Sequence, residues 1–170
     1  SAVETREKVV EALMLARGKD LRSESQIREF VENQLPFQYG ASYGGNTPCV
    51  HIETGSEDFL VLDGGSGLRV LGQEIKESGL KDKTFHIFFS HLHYDHIQGF
   101  PFFAPAYEAG NKIIVHGCHS EIEQALRKQM LPPFFPIKFD TFGAEISFVK
   151  HSPGDLVKVS GAEISIHELD

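Results

Sequence analysis

Apolar residues in the first 34 positions recur at the spacing of an amphipathic helix. They form two groups, Val9, Val10, Leu13 and Leu15 and then Ile27, Phe30 and Val31. Ser23 is followed three residues later by Gln26, the spacing of a capping box, in which each side chain satisfies a free backbone N–H at a helix start. The pattern predicts two short helices that pack as a hairpin.

Beyond Pro36 the pattern changes to short apolar runs separated by glycine-rich turns. Seven strands are predicted, near Pro48–Glu53, Phe59–Asp63, His86–Ser90, Lys112–His116, Ile146–Val149, Leu156–Val159 and Ala162–His167. Helical periodicity returns at Gly67–Ser78 and Ser120–Met130, so strands and helices interleave along the chain. This order predicts an α/β fold built in layers.

The whole chain is predicted to be one domain, because it contains no internal repeat and no low-complexity linker. Within it, residues 1–35 form the helical hairpin as an insertion, and residues 36–170 form the sheet-and-helix portion. A chain of 170 residues that is 41% apolar and 24% charged is long enough and apolar enough to build a hydrophobic core.

Charge and cysteine content limit which binding partners and which cellular compartment are expected. Twenty-four acidic residues against 16 basic ones give a net charge of −8, which disfavours long nucleic acid as a partner. Cys49 and Cys118 are too few for a disulfide framework, which favours a reduced, cytoplasmic setting. No apolar run approaches the roughly 20 residues that span a bilayer, so no membrane partner is expected.

The strongest chemical signal is the segment His91-Leu92-His93-Tyr94-Asp95-His96. It follows the apolar run Phe85–Ser90, and ligand sites form at the carboxyl ends of strands in open α/β sheets. His91 and His93 are two apart in an extended stretch, so they project to one side and can bind one metal ion. Asp95 and His96 follow where the chain turns and can reach a second ion. Imidazole and carboxylate ligands suit Zn²⁺, and also Mn²⁺ or Fe²⁺.

Chance is a poor explanation for this segment, since nine His in 170 residues make such a pattern rare, about once in a thousand chains. The alternative is a metal-free histidine cluster that hydrogen-bonds and caps the following helix. Four clustered titratable groups without a metal are costly to stabilise, which disfavours that alternative.

The stretch Ser90–Gly99 resembles the HxHxDH signature of the metallo-β-lactamase superfamily, whose fold is an αββα sandwich. Tyr43–Val50, Leu62–Gly67 and Gly99–Phe103 resemble the branch that contains phosphodiesterase-like and tRNA-3′-processing-like hydrolases. The similarity is strongest between Tyr39 and His116.

This resemblance implies a hydrolase with two divalent metal ions, zinc favoured, and a hydroxide held between them that attacks the substrate. His91, His93, Asp95 and His96 are the implied metal ligands, and Asp95 is also the catalytic candidate. Asp63 is implied to support the ligands by hydrogen bonding, although an Asp before Gly64-Gly65 is equally typical of a turn. The implied substrate is a small molecule, a phosphodiester such as a cyclic or small nucleotide, rather than a β-lactam or thioester. The pattern leaves a homodimer open.

The resemblance also implies further ligands downstream, each after its own strand. His116, His119 and His151 do not fit the expected positions, and His167 is the nearest. We therefore expect the 170 residues to be an incomplete chain that contains the N-terminal half to two-thirds of the sandwich. The rival hypothesis is a non-catalytic metal-binding or interaction module with an incomplete site.

Overall fold

The computed structural model of the protein describes residues 2–36, 39 and 45–168. The chain divides into two compact units, Ser1–Gly45 and Asn46–Asp170. Within the described residues, no helix combines the length and apolarity needed to cross a bilayer.

The first unit contains the two helices that the periodicity predicts, α1 (Ala2–Ala16) and α2 (Glu24–Asn33). The capping box at the start of α2 is confirmed. The Ser23 Oγ accepts a hydrogen bond from the Gln26 backbone N–H at 3.3 Å, and the Gln26 Oε1 accepts one from the Ser23 N–H at 3.0 Å. Both satisfy N–H groups that the helix itself leaves without a partner.

The second unit is built on a five-stranded sheet and a separate two-stranded hairpin. The sheet has the spatial order β1 (Val50–Ile52), β2 (Phe59–Leu62), β3 (Thr84–Phe88), β4 (Lys112–Gly117) and β5 (Glu145–Lys150). β1 is antiparallel to β2, and the other neighbours are parallel. The hairpin consists of β6 (Leu156–Val159) and β7 (Ala162–Ser165). The predicted α/β class is confirmed as a mixed sheet with interleaved helices.

Most strands differ from their predicted bounds by one or two residues, and two of these differences affect predicted site residues. β3 ends at Phe88 rather than at Ser90, because the Ser90 backbone N–H donates to the Asp63 carboxylate at 2.9 Å instead of joining the strand ladder. β7 ends at Ser165, so His167 lies beyond the strand and is exposed.

Three α-helices follow the strands: α3 (Ser66–Ser78) after β2, α4 (Tyr94–Ile97) after β3 and α5 (Ile122–Lys128) after β4. Short 3-10 turns occur at Phe100–Phe102, Ala104–Tyr107 and Phe139–Thr141. α3 joins two parallel neighbours in a βαβ unit, and it places Leu68, Gly72 and Ile75 against the core.

The hydrophobic core lies between one face of the sheet and the helices and turns that follow it. Its fully buried side chains include Phe85, Ile87, Ile113, Val115, Leu68, Phe100, Phe103 and Leu126. The opposite face of the sheet is covered unevenly: Leu60 and Phe88 are buried there, whereas Val50 on the edge strand is 54% exposed. Central strands buried on both faces explain the nearly continuous apolar runs in the sequence.

Candidate metal centre

The segment with the clustered histidines lies at the carboxyl edge of the parallel strands. The register pairs Leu62 of β2 with Phe88 of β3, so Asp63 and the residues after Phe88 leave the sheet side by side. The Asp63 backbone N–H extends the ladder by donating to the Phe88 carbonyl at 2.8 Å. Neighbouring parallel strands thereby deliver a carboxylate and the histidine-rich loop to the same edge.

The loop is anchored to the turn after β2 by backbone hydrogen bonds. The Gly64 N–H donates to the His96 carbonyl at 2.7 Å, and the Gly99 N–H donates to the Gly64 carbonyl at 2.8 Å. A Cβ on Gly99 would overlap the Gly65 carbonyl oxygen, and a Cβ on Gly65 would overlap the Asp95 carbonyl oxygen. Only glycine permits backbones to approach this closely.

Thr47, in the segment before β1, also contacts the turn after β2. The Ser66 N–H donates to the Thr47 Oγ1 at 2.7 Å, and the Thr47 N–H donates to the Ser66 Oγ at 2.9 Å. The Gln98 amide, just after α4, donates to the Thr47 Oγ1 at 3.0 Å. This network connects the loop before β1, the start of α3 and the end of the histidine segment.

The four predicted ligands come together as two pairs. The His91 Nε2 lies 3.0 Å from the His93 Nδ1, and the His96 Nε2 lies 3.5 Å from the Asp95 Oδ2. The rings of His91 and His96 connect the pairs, with centroids 4.0 Å apart. His93 is the N-cap of α4 with an extended backbone, and the helical turn that follows carries Asp95 and His96 back beside it.

Asp63 contacts this cluster directly. Its Oδ2 lies 2.9 Å from the His96 Nδ1, and its carboxylate also accepts hydrogen bonds from the Ser90 hydroxyl. Its backbone has φ +61°, a left-handed conformation that Asp adopts more readily than most residues. The Asp63 and His96 side chains are only 14% and 16% exposed, whereas that of Asp95 is 54% exposed. One carboxylate is therefore enclosed and the other faces the water phase.

Cys49 is the thiol nearest in sequence to this turn. Burial and, to a smaller extent, the negative charge of Asp63 together raise the pKa of the Cys49 thiol to about 11. A thiol with this pKa is protonated at neutral pH and is a poor metal ligand in that form.

Two downstream histidines form a separate cluster with His86, which we call the histidine line. The His86 Nδ1 lies 3.0 Å from the His116 Nε2, and the His116 Nδ1 lies 2.9 Å from the His151 Nε2. Phe88 stacks on the His116 ring at 4.1 Å. Burial and, to a smaller extent, the neighbouring His86 and His151 together lower the pKa of His116 to about 4. The other two histidines considered downstream, His119 and His167, are exposed.

Sequence reasoning assigned no side-chain hydrogen bonds to Ser90, Ser66, Thr47 and Gln98, although all four lie in the stretches that carry the resemblance. A hydroxyl residue directly before His91 and another directly after Gly64-Gly65 were the available signals. Neither indicates by itself which distant group it contacts. Tyr43 and Gly44, which contribute to the family resemblance, lie outside the described residues.

No protein-family model, curated protein or solved structure matches the chain. Across residues 2–36, 39 and 45–168, no group of three or more His, Cys, Asp or Glu side chains has the arrangement to hold a metal ion. The resemblance to the metallo-β-lactamase superfamily therefore rests on the sequence motifs alone. That the two donor pairs bind metal stays a prediction.

Proposed function

We propose that the protein is a metal-dependent hydrolase of the metallo-β-lactamase superfamily that cleaves the phosphodiester of a small or cyclic nucleotide. The observation that carries the proposal is the convergence of His91, His93, Asp95 and His96 at the carboxyl edge of the sheet. The five-stranded sheet with helices after its strands is compatible with one half of the family's αββα sandwich, that is, one sheet and its helical layer.

The separation of the donor atoms within each pair supports the proposal of two ions. Nitrogen ligands about 2.0–2.1 Å from a tetrahedral ion lie roughly 3.4 Å apart. The His91 Nε2 and His93 Nδ1 are 3.0 Å apart, and the His96 Nε2 and Asp95 Oδ2 are 3.5 Å apart, so each pair needs only small adjustments. Imidazole with carboxylate favours Zn²⁺, with Mn²⁺ and Fe²⁺ as the alternatives.

Two bound divalent ions would lower the pKa of a bound water towards about 7 and neutralise the charge that develops on the attacked phosphate. Asp95 is the proposed catalytic residue, because its half-exposed carboxylate can accept a hydrogen bond from an attacking water. Asp63 is enclosed beside His96 and orients that ring rather than contacting the substrate.

The charge of the chain favours a small substrate. A net charge of −8 repels a long polyanion, whereas a mononucleotide has few phosphates to bring near the surface. A phosphodiester also has a single negative charge at the reacting centre, which two cations would offset.

The test is hydrolysis of bis(p-nitrophenyl) phosphate by the purified full-length protein loaded with Zn²⁺ or Mn²⁺, together with measurement of bound metal. We expect about two ions per chain, and we expect His93→Ala to abolish hydrolysis and reduce bound metal, because it removes one donor of a pair. The matched control is His119→Ala, since His119 is exposed and outside both donor pairs.

Hydrolysis that survives His93→Ala would reject the assignment. Binding of one ion or none, without hydrolysis, would instead favour a non-catalytic metal-binding or interaction module.

A further inference from the structure

The Ser90 hydroxyl contacts Asp63 and two histidines of the cluster. Its Oγ lies 2.9 Å from each Asp63 carboxylate oxygen, 3.0 Å from the His91 Nδ1 and 3.5 Å from the His96 Nδ1. The Ser90 backbone N–H also donates to the Asp63 Oδ1 at 2.9 Å. Ser90 is therefore bonded to Asp63 through both its backbone and its side chain.

Counting protons assigns a direction to each of these bonds. A serine hydroxyl has one hydrogen to donate, and an ionised carboxylate can only accept, so the Ser90 hydrogen points to Asp63. The Ser90 oxygen is then left to accept, and the His91 Nδ1 must be the donor. His96 donates from Nδ1 to the Asp63 Oδ2, because that contact of 2.9 Å is shorter than its 3.5 Å contact with Ser90.

His91 consequently has its proton on Nδ1 and a lone pair on Nε2. His96 has a proton on Nδ1, so only its Nε2, which faces the Asp95 carboxylate at 3.5 Å, is left to bind a metal ion. The Nε2 atoms are the ones that belong to the two donor pairs, facing the His93 Nδ1 and the Asp95 Oδ2. A histidine can bind a metal only through an unprotonated nitrogen, and the bond made by its other nitrogen decides which one that is.

We propose that Ser90 is a positioning residue that relays the hydrogen bonding of Asp63 to His91, so that one carboxylate fixes a proton on the Nδ1 of one imidazole in each donor pair. This inference rests on the proposed function for its purpose, but the hydrogen-bond direction can be measured without any metal. With the His91 Nε2 unprotonated, the His93 Nδ1–H is the donor of the bond between them. Metal binding through the His93 Nδ1 would therefore require that nitrogen to lose its proton.

The first test is imidazole ¹⁵N NMR on the metal-free protein, which distinguishes Nδ1–H from Nε2–H histidine. We expect His91 to be the Nδ1–H tautomer in the wild type and in Ser90→Thr, which keeps the hydroxyl. In Ser90→Ala we expect His91 to lose that preference, while His96 keeps its Nδ1 proton on Asp63. Asp63→Asn should disturb both rings, because it removes the carboxylate that the two bonds share.

The second test is the Zn²⁺ dissociation constant measured by competition with a chromophoric chelator. Loss of an outer hydrogen-bond partner of a ligand typically weakens metal binding by about 10–100-fold, and we expect Ser90→Ala to fall in that range. Ser90→Thr should stay within a few-fold of the wild type. Ser90 is an exposed position, so both variants are expected to fold.

An unchanged His91 tautomer in Ser90→Ala would overturn the inference and leave the proposed function intact. Equal Zn²⁺ affinity for the wild type and Ser90→Ala would also overturn it. A wild-type protein that binds no Zn²⁺ would instead overturn the proposed function, and the NMR result on His91 would still decide the role of Ser90.

Discussion

Asp63 combines a left-handed turn conformation with a carboxylate that accepts from three donor atoms. These are the Ser90 N–H, the Ser90 hydroxyl and the His96 Nδ1. From the sequence, Asp63 was either a turn former before Gly64-Gly65 or a support for the histidines. The geometry makes these interpretations compatible, because Asp63 has a turn conformation with φ +61° and its carboxylate still contacts the loop after β3. Its support of bound metal stays a prediction.

His116 makes the folding free energy depend on pH. Its folded-state pKa of about 4 is below the ordinary value of 6.5, so the unfolded chain takes up a proton that the folded chain resists. The free energy of unfolding should therefore be constant above pH 6.5 with respect to this group and should decrease as the pH falls towards 4. The decrease should be roughly 1–3 kcal/mol.

The groups that face the histidine line act in opposite directions. Burial lowers the pKa of His86, and Asp58 opposes that effect. His86 and His151 oppose protonation of His116, and Asp155 lies 3.9 Å from the His151 Nδ1. Urea titrations in a metal chelator between pH 4 and 8 measure the effect. His116→Phe should flatten the dependence, and the exposed-site control His119→Phe should leave it unchanged. A slope that His116→Phe does not alter would contradict this account.

At the scale of elements, α4 is too short to be stable alone. A helix of four residues has almost no internal hydrogen bonds to offset its nucleation, so its position depends on tertiary contacts. Those contacts are the backbone bonds to Gly64 and the burial of Ile97, which is 6% exposed. The element that carries Asp95 and His96 is thus placed by the turn after β2.

Gly99→Ala should disrupt this placement. The added Cβ would overlap the Gly65 carbonyl, and backbone atoms cannot move aside as a flexible side chain can. We expect a loss of roughly 3 kcal/mol in the free energy of unfolding by urea titration, together with weaker Zn²⁺ binding. The control is Gly45→Ala, where the new Cβ meets nothing within 4 Å. Equal stability of the two variants would show that the close approach is not maintained in solution.

At the scale of the whole molecule, the core of the second unit and the candidate site share β3. The same strand buries Phe85 and Ile87 on the helix side of the sheet and ends where the histidine loop begins. Parallel strands that end at one edge bring Asp63 and Ser90, which are 27 residues apart, into hydrogen-bond contact. Stability of the sheet and geometry of the site are therefore coupled.

Phe85→Ala tests how much this core contributes. Phe85 is fully buried, with ring centroids 4.9 Å from Phe59 and 5.2 Å from Phe103. Its truncation leaves a cavity that typically lowers the free energy of unfolding by about 3–5 kcal/mol, a large part of the roughly 5–15 kcal/mol total of a domain. Val50→Ala is the control, because Val50 is 54% exposed on the edge strand. A loss below about 1 kcal/mol for Phe85→Ala would contradict this packing.

The elements of this fold were predictable because their signals are local. Helical spacing over Gly67–Ser78 and apolar runs at Phe59–Asp63 and Lys112–His116 identified α3, β2 and β4 to within about two residues. The end of β3 was not predictable, since the group that takes the Ser90 N–H out of the ladder is the distant Asp63. The second unit's α/β class follows from the same local order of strands and helices.

The candidate site likewise has features that the sequence predicts and features that only the tertiary structure decides. The spacing of His91, His93, Asp95 and His96 already indicated two donor pairs, because the alternation of an extended chain and the turn after it are local geometry. Only the tertiary structure decided that Ser90 joins Asp63 to His91, and that His116 bonds to a residue 35 positions away instead of to that loop. Such contacts depend on strand register and on which residues meet at a sheet edge, and no periodicity within one segment encodes either.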